Sequence, residues 1–198
     1  MPIPTSARWL ALALALLAAP ATAAAQALSL GLDAGALFFD DGITLTTDTA
    51  VLPGLTNADP ARSFGARAVL HFSPRLGVEA VYLRSDLENA VFELTSHIYY
   101  STVELRLPLG ADVGVRLAAG GGGITFAPSD DAHDDLTDAI AAVELGLGVG
   151  ATDHLSFWLD GRGYNQFCSG QSDDDAFRCE DDASLRHAGI WAGATYTF

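Results

Sequence analysis

From Leu28 to the C-terminus the sequence alternates, residue by residue, between apolar and polar-or-small side chains. Over Ala139 to Gly150, the residues Ala141, Val143, Leu145, Leu147 and Val149 share one face, and Ala142, Glu144, Gly146, Gly148 and Gly150 share the other. A helix repeats every 3.6 residues and cannot hold such a pattern on one side. A β-strand repeats every two and separates the sets cleanly. The rhythm recurs over Leu28–Phe38, Phe64–Phe72, Leu76–Tyr82, Tyr99–Leu107, Val113–Ile124, Leu155–Tyr164 and Leu185–Phe198. Eight strands of about ten residues are expected.

The connections alternate as well. Short turns fall at Ser73-Pro74-Arg75, Pro108 to Asp112 and Ala151 to Asp153. Long polar segments fall near 39–63, 84–97, 127–138 and 168–184. Eight alternating strands with short turns at one end and long loops at the other are the pattern of a small transmembrane β-barrel. Because the strand number is even, both termini are expected on the short-turn side.

Composition narrows the function classes. The chain has 198 residues and is 49% hydrophobic, so it is neither two large domains nor a disordered polymer. Its net charge is −15, and all ten basic residues are Arg. A nucleic-acid binder built on phosphate neutralisation is therefore excluded.

The N-terminus has the form of an export leader. Arg8 precedes an apolar run from Trp9 to Ala19, which Pro20 ends. Ala21-Thr22-Ala23 and Ala23-Ala24-Ala25 offer small-x-small cleavage sites. The run is too short for a spanning helix, which needs about 20 apolar residues. The expected organisation is a signal peptide over 1–25 and a barrel domain over 26–198.

The chain closes on Ala194-Thr195-Tyr196-Thr197-Phe198. With the strand rhythm and the loop pattern, this ending resembles the small eight-stranded outer-membrane proteins of Gram-negative bacteria, of the OmpA transmembrane-domain, OmpX and OmpW kind. The resemblance covers 26–198. It implies an all-β, antiparallel, up-and-down barrel in the bacterial outer membrane, in contact with lipid and lipopolysaccharide. It also makes Tyr196 and Phe198 an assembly signal for the barrel-insertion machinery. No periplasmic domain follows the last strand, so the cell-wall anchoring of OmpA is not implied.

A soluble barrel alternates too, with its apolar face inside. Charge placement argues against it. Most of the 25 acids fall in the connections, Asp86, Glu88, Glu93 and Asp138 among them. The polar strand faces carry only Asp33, Glu79, Glu104, Glu144 and Asp160 against Arg67, Arg106, Arg116 and Arg162, and are otherwise mostly Gly, Ala and Thr. A water-facing exterior would carry more charge. A narrow interior needs small residues beside a few paired ones. Arg106 stands two residues from Glu104 on one face, as Arg162 does from Asp160. These nine residues read either as a salt-bridged plug or as a gated polar path. Eight strands leave little lumen, and Trp158, Tyr164 and Trp191 also point inward, which favours the plug.

In the last long loop Cys168 and Cys179 are spaced for a disulfide, in a compartment where such bonds persist. The acids Asp173, Asp174, Asp175, Glu180, Asp181 and Asp182 cluster beside them, without the spacing of an EF-hand. They are weak candidates for Ca²⁺, against the plainer reading of a solvated acidic surface, so divalent cations are candidate partners. Gly146-Leu147-Gly148-Val149-Gly150-Ala151 matches a dinucleotide-binding string, but a strand rhythm surrounds it where a helix is required. His154-Leu155-Ser156 is similar to the His-x-Ser of lipid A deacylases, with both side chains expected on the inner face at the short-turn end. The chain therefore reads as a non-enzymatic outer-membrane barrel without a cofactor, monomeric, with acidic extracellular loops and a structural or surface-interaction role. The alternative is a narrow pore or OmpW-like channel for small hydrophobic molecules, with Gly120 to Gly123 as the place for a weak seam.

Overall fold

The computed structural model of the chain describes residues 27–39, 43–47, 50–52, 60–88, 93–128, 136–167, 177–179 and 184–198. The expected leader over 1–25, Cys168, and the acids Asp173, Asp174, Asp175, Glu180, Asp181 and Asp182 lie outside them. The strands are β1 (Ala27–Phe38), β2 (Ile43–Thr47), β3 (Ala50–Leu52), β4 (Ala61–His71), β5 (Leu76–Glu88), β6 (Glu93–Pro108), β7 (Val113–Pro128), β8 (Leu136–Gly150), β9 (Leu155–Phe167), β10 (Phe177–Cys179) and β11 (Ser184–Thr197).

Eight of these strands close a barrel in the order β1-β11-β9-β8-β7-β6-β5-β4, every neighbouring pair antiparallel. Closure pairs every strand edge, which a lipid environment requires because no water is there to satisfy free backbone groups. The expected all-β barrel is thus borne out. β1 and β11 pair from Ser29↔Thr197 to Phe38↔Ala188, so both ends of the described chain meet at the short-turn rim. Side-chain hydroxyls tighten two of those turns. Ser73 Oγ accepts from the amides of Arg75 (3.3 Å) and Leu76 (3.0 Å). Thr152 Oγ1 accepts from those of His154 (3.3 Å) and Leu155 (2.9 Å).

Several strands run further toward the long-loop rim than their rhythm suggests. β5 continues past Tyr82 to Glu88, β6 starts at Glu93, β7 continues past Ile124 to Pro128, and β8 starts at Leu136. The cause is an inversion of polarity. Along the membrane, apolar residues face outward. Beyond it, Leu83, Ile98, Ile124 and Ile140 face inward and are buried, while Arg84, His97, Thr125 and Thr137 take the outer face. Period two is kept but the apolar face changes sides, so these stretches read as loop. Asp86, Glu88, Glu93 and Asp138 accordingly belong to strands and not to connections.

Two long connections also contain strands. β2 pairs with β3 as a hairpin, and β10 from the last connection adds to β2 through Phe177↔Leu45, Arg178↔Thr44 and Cys179↔Ile43. The first and last long connections are therefore joined by backbone hydrogen bonds.

The outer wall is apolar. Leu32, Val103, Val143, Leu145, Phe157 and Ile190 are all more than half exposed, and they stand on the lipid-facing positions. Phe38, Phe64, Tyr82 and Tyr99 ring the long-loop side of this wall, while Phe72, Tyr196 and Phe198 ring the other. Such aromatic girdles mark the two membrane–water interfaces.

Candidate functional site

Inside the short-turn half of the barrel lies a single buried network of charge. Arg116 on β7 is its hub. Its Nη1 donates to Glu79 Oε1 (2.7 Å) and to Glu104 Oε2 (3.4 Å). Its Nη2 meets Glu144 Oε2 at 2.7 Å and Asp160 Oδ2 at 2.9 Å. Arg67 on β4 clamps Asp33 through Nε (3.0 Å to Oδ2) and Nη2 (2.5 Å to Oδ1), and that Nη2 also reaches Asp160 at 2.5 Å. Arg162 on β9 donates to Asp33 Oδ2 at 2.7 Å and to Asp160 at 3.3 Å. Arg106 donates through Nε to Glu104. Thr102 donates to Glu79 at 3.1 Å. All nine residues singled out by their parity face inward.

Burial on this scale requires such pairing, because an unpartnered charge in a dry interior is prohibitive. Two indoles help. Trp158 lies under the guanidinium carbons of Arg106 (5.1 Å) and Arg116 (5.7 Å), and Trp191 under that of Arg162 (4.8 Å). Arg106 and Arg116 stand directly opposite each other on β6 and β7. Glu104 between them and the π-face of Trp158 offset what would otherwise be a repulsive cross-strand pair.

Glycine makes the room. Across the ladder from Arg67 is Gly31, from Asp33 are Gly65 and Gly193, from Glu104 is Gly77, and from Arg116 and Asp160 is Gly146. Trp191 faces Gly35, and Trp158 faces Gly148 and Gly193. A Cβ at Gly31 would lie 2.9 Å from Arg67 Cγ, and one at Gly35 would lie 2.7 Å from the Trp191 ring. The Gly-rich inner faces are therefore the spaces into which the large polar and aromatic side chains fold.

Above the network the interior turns apolar. Leu37, Leu83, Ile98, Ile124, Phe126 and Leu185 are each no more than 4% exposed and form one cluster, on which Phe39 packs from the rim. Tyr100 and Tyr164 span the junction, their hydroxyls 3.4 Å apart and their rings edge to face. A second polar group lies at this level on β8, β9 and β11. Gln166 donates to Asp138 (2.7 Å), and its carbonyl pairs with His187 Nε2 (2.8 Å). The sequence pattern places Asp138 in a loop and singles out no role for His187. The signal was present, since Asp138, Ile140, Ala142 and Glu144 share one parity.

At the short-turn mouth, Ser29 Oγ lies 2.8 Å from His71 Nε2, and His71 Nδ1 lies 4.0 Å from Glu104. Ser29 is fully buried and also bonded to Thr197 Oγ1 at 2.8 Å. A nucleophile must be open to its substrate, and the burial of Ser29 does not offer that access. The expectation for His154 needs correction. His154 is exposed, donates through Nδ1 to the Thr197 carbonyl (2.8 Å), and stacks on Tyr196. It is held by the end of β11 rather than aimed at Ser156. Tyr196 and Phe198 lie on the outer wall, ring centroids 5.0 Å apart, and the Phe198 amide donates to Leu28 O at 2.9 Å.

Gly120 to Gly123 pair without a break to Thr102–Tyr99 on one side and Ala142–Ala139 on the other, so the ladder is continuous there. The Tyr99 ring covers Gly123 from outside. Among the described residues no group of three or more His, Cys, Asp or Glu side chains is arranged to hold a metal ion.

No curated protein matches the chain. Among solved structures, Neisserial surface protein A (NspA) matches with a TM-score of 0.62 at 13% identity, over 87% of this chain and 99% of that one. OprG, an outer membrane protein from Pseudomonas aeruginosa, matches with a TM-score of 0.52 at 14% identity, over 88% and 96%. The outer membrane protein AlkL, solved in lipid bilayers, matches with a TM-score of 0.50 at 12% identity, over 90% and 94%. At such identities the likeness is one of fold. The family described as "Outer membrane protein beta-barrel domain" matches residues 9–198. With the closed eight-stranded barrel and its lipid-facing wall, this establishes that the chain belongs to the outer-membrane β-barrel domain family of bacteria.

Proposed function

We propose that this barrel is a closed, non-enzymatic outer-membrane protein whose role is structural or at the cell surface, carried by its long loops. The observation that carries this reading is the filling of the interior. Charged groups pair with one another in the short-turn half, and a buried apolar layer occupies the other. A water-filled path would need hydrated polar groups along its length, and an apolar layer of this kind gates by dewetting. Loops on a rigid barrel are the natural seat of recognition. The leader over 1–25, a Cys168–Cys179 bridge, acidic loops that attract divalent cations, and insertion by the barrel-assembly machinery as a monomer belong to the same proposal.

Conductance of the refolded mature chain in a planar bilayer tests it. Inserted barrels, verified by heat-modifiable gel mobility, are expected to remain silent. Discrete openings blocked by an apolar solute would overturn the closed barrel in favour of a narrow channel for small hydrophobic molecules.

A further inference from the structure

The ladder that closes the barrel is gripped at one end. β1 and β11 are the first and last strands of the barrel, and their rungs run from Ser29↔Thr197 to Phe38↔Ala188. From Gly31↔Thr195 to Phe38↔Ala188 every rung contains a Gly or an Ala. Pairs of larger side chains are what strengthen a ladder beyond its backbone bonds, and glycine weakens it. Two rungs join larger side chains on both strands: Ser29 with Thr197, whose hydroxyls lie 2.8 Å apart, and Leu30 with Tyr196. Both lie at the short-turn rim. By contrast, β5 and β6 match Leu76 with Leu105, Val78 with Val103, Tyr82 with Tyr99 and Leu83 with Ile98 along much of their length. Inside, Asp33 reaches past β11 to Arg162, a tie that the charged network supplies and the rungs do not.

One residue outside the seam holds both of those rungs. His154 ends the turn before β9, and that turn is fixed. The amides of Ala151 and Thr152 donate to Leu155 O at 2.8 and 3.1 Å, and Thr152 Oγ1 accepts from the amides of His154 and Leu155. From this base the His154 carbonyl accepts the Thr197 amide at 2.8 Å, and His154 Nδ1 donates to the Thr197 carbonyl at 2.8 Å. The imidazole also stacks on Tyr196, with ring centroids 5.6 Å apart and planes at 21°. Backbone and ring together extend the β9–β11 ladder one step beyond its last rung, Leu155↔Tyr196. A carbonyl only accepts, so Nδ1 carries the proton, and the neutral ring makes this bond as well as the charged one does. On the far side of the seam, Ser29 Oγ meets His71 Nε2 at 2.8 Å. One chain of contacts thus crosses from the turn before β9, over β11 and β1, to β4.

We propose that His154 is the latch of the barrel's closing seam. It is a positioning residue. It sets Tyr196 and Thr197 where they meet Leu30 and Ser29, and the two gripping rungs of the seam form on that placement. Without the imidazole, the end of β11 keeps its bonds to β1 and a single backbone bond to an exposed turn. The rim end of the seam then frays, as strand ends with few side-chain contacts do. The charged network is untouched, so the loss stays local. The latch concerns closure and stands whether or not the lumen conducts.

Amide hydrogen exchange, followed by NMR on the refolded mature chain in lipid nanodiscs, tests it. H154A should speed exchange of the Thr197 and Phe198 amides by about tenfold or more. The amides of Leu109 and Gly110, which close another turn on the same rim onto Val113 O, should be unchanged. H154F keeps a ring to stack on Tyr196 and loses the bond to the Thr197 carbonyl, so its exchange should fall between the two. Exchange at Thr197 and Phe198 within about twofold of the unmodified chain, in folded H154A, would overturn the latch. So would a uniform acceleration that includes Leu109 and Gly110, because His154 would then contribute to the stability of the whole barrel and not to its seam. If H154A does not fold, H154F decides the question, and unchanged exchange at Thr197 in that variant overturns the proposal.

Discussion

Replacing Arg116 by Met tests whether the interior is dry. The side chain is 1% exposed and touches Glu79, Glu104, Glu144 and Asp160, between 2.7 and 3.4 Å away. Met keeps most of the volume and removes the charge. Five carboxylates, Asp33 included, would then face three guanidiniums, and Glu144 would retain only the longer approach to Arg162 Nε at 3.6 Å. Breaking a buried pair from one side costs about 3–5 kcal/mol, since an uncompensated charge is left behind. The same ions in a hydrated lumen would lose only about 0–1 kcal/mol. The two ranges do not overlap, so the measurement separates a plug from a wet path. The assay is reversible urea unfolding in lipid vesicles, followed by tryptophan fluorescence. R116M/E144Q should be less destabilised than the sum of its single changes, with a coupling of roughly 0.5–3 kcal/mol. A loss below about 1 kcal/mol for R116M, with additive single changes, would refute the dry, ion-paired network.

Two further outcomes follow from the wall of the barrel. Leu145→Arg puts a charge on the lipid-facing surface in the middle of β8, where Leu145 is 59% exposed, and should lose about 2–4 kcal/mol in the same unfolding assay. Gly35→Ala drives a Cβ to 2.7 Å from the Trp191 ring and should lose about 1–3 kcal/mol by overpacking, whereas the nearest neighbour of a Cβ at Gly161 is 3.9 Å away, so Gly161→Ala should change stability by under about 0.5 kcal/mol. Equal effects at the two glycines would refute the view that inner-face glycines are reserved for bulky partners.

The strand faces were legible because the membrane simplifies them. Outward residues must be apolar, so Val143, Leu145 and Leu147 stand out against Glu144, Gly146 and Gly148. Local ion pairs were legible for the same reason, since Glu104 and Arg106 share a parity two residues apart. The hub was not. Arg116 meets Glu79 and Asp160 only through the closure and stagger of the whole sheet, which no local pattern records. The apolar layer was hidden by a change of phase. Leu83 and Ile98 continue the inward parity, but their outward neighbours Arg84 and His97 are polar, so greasy and polar faces exchange sides. A search for apolar-outward strands ends there. The cross-connected sheet of β2, β3 and β10 was missed because its strands are too short to show a rhythm.

The charged network has a consequence for how the chain reaches this state. Its members come from β1, β4, β5, β6, β7, β8 and β9, and Asp33 takes Arg162 from 129 positions further along. A sheet assembled only as far as β8 holds Asp33 with Arg67 alone and lacks Asp160 altogether. Its hub is short of one acid, and its open edge exposes the remaining ions to lipid. The ions reach their full complement only when β9 arrives, and the edges vanish only when β11 meets β1. Assembly is thereby made cooperative, with half-built barrels penalised by the same charges that lock the finished one.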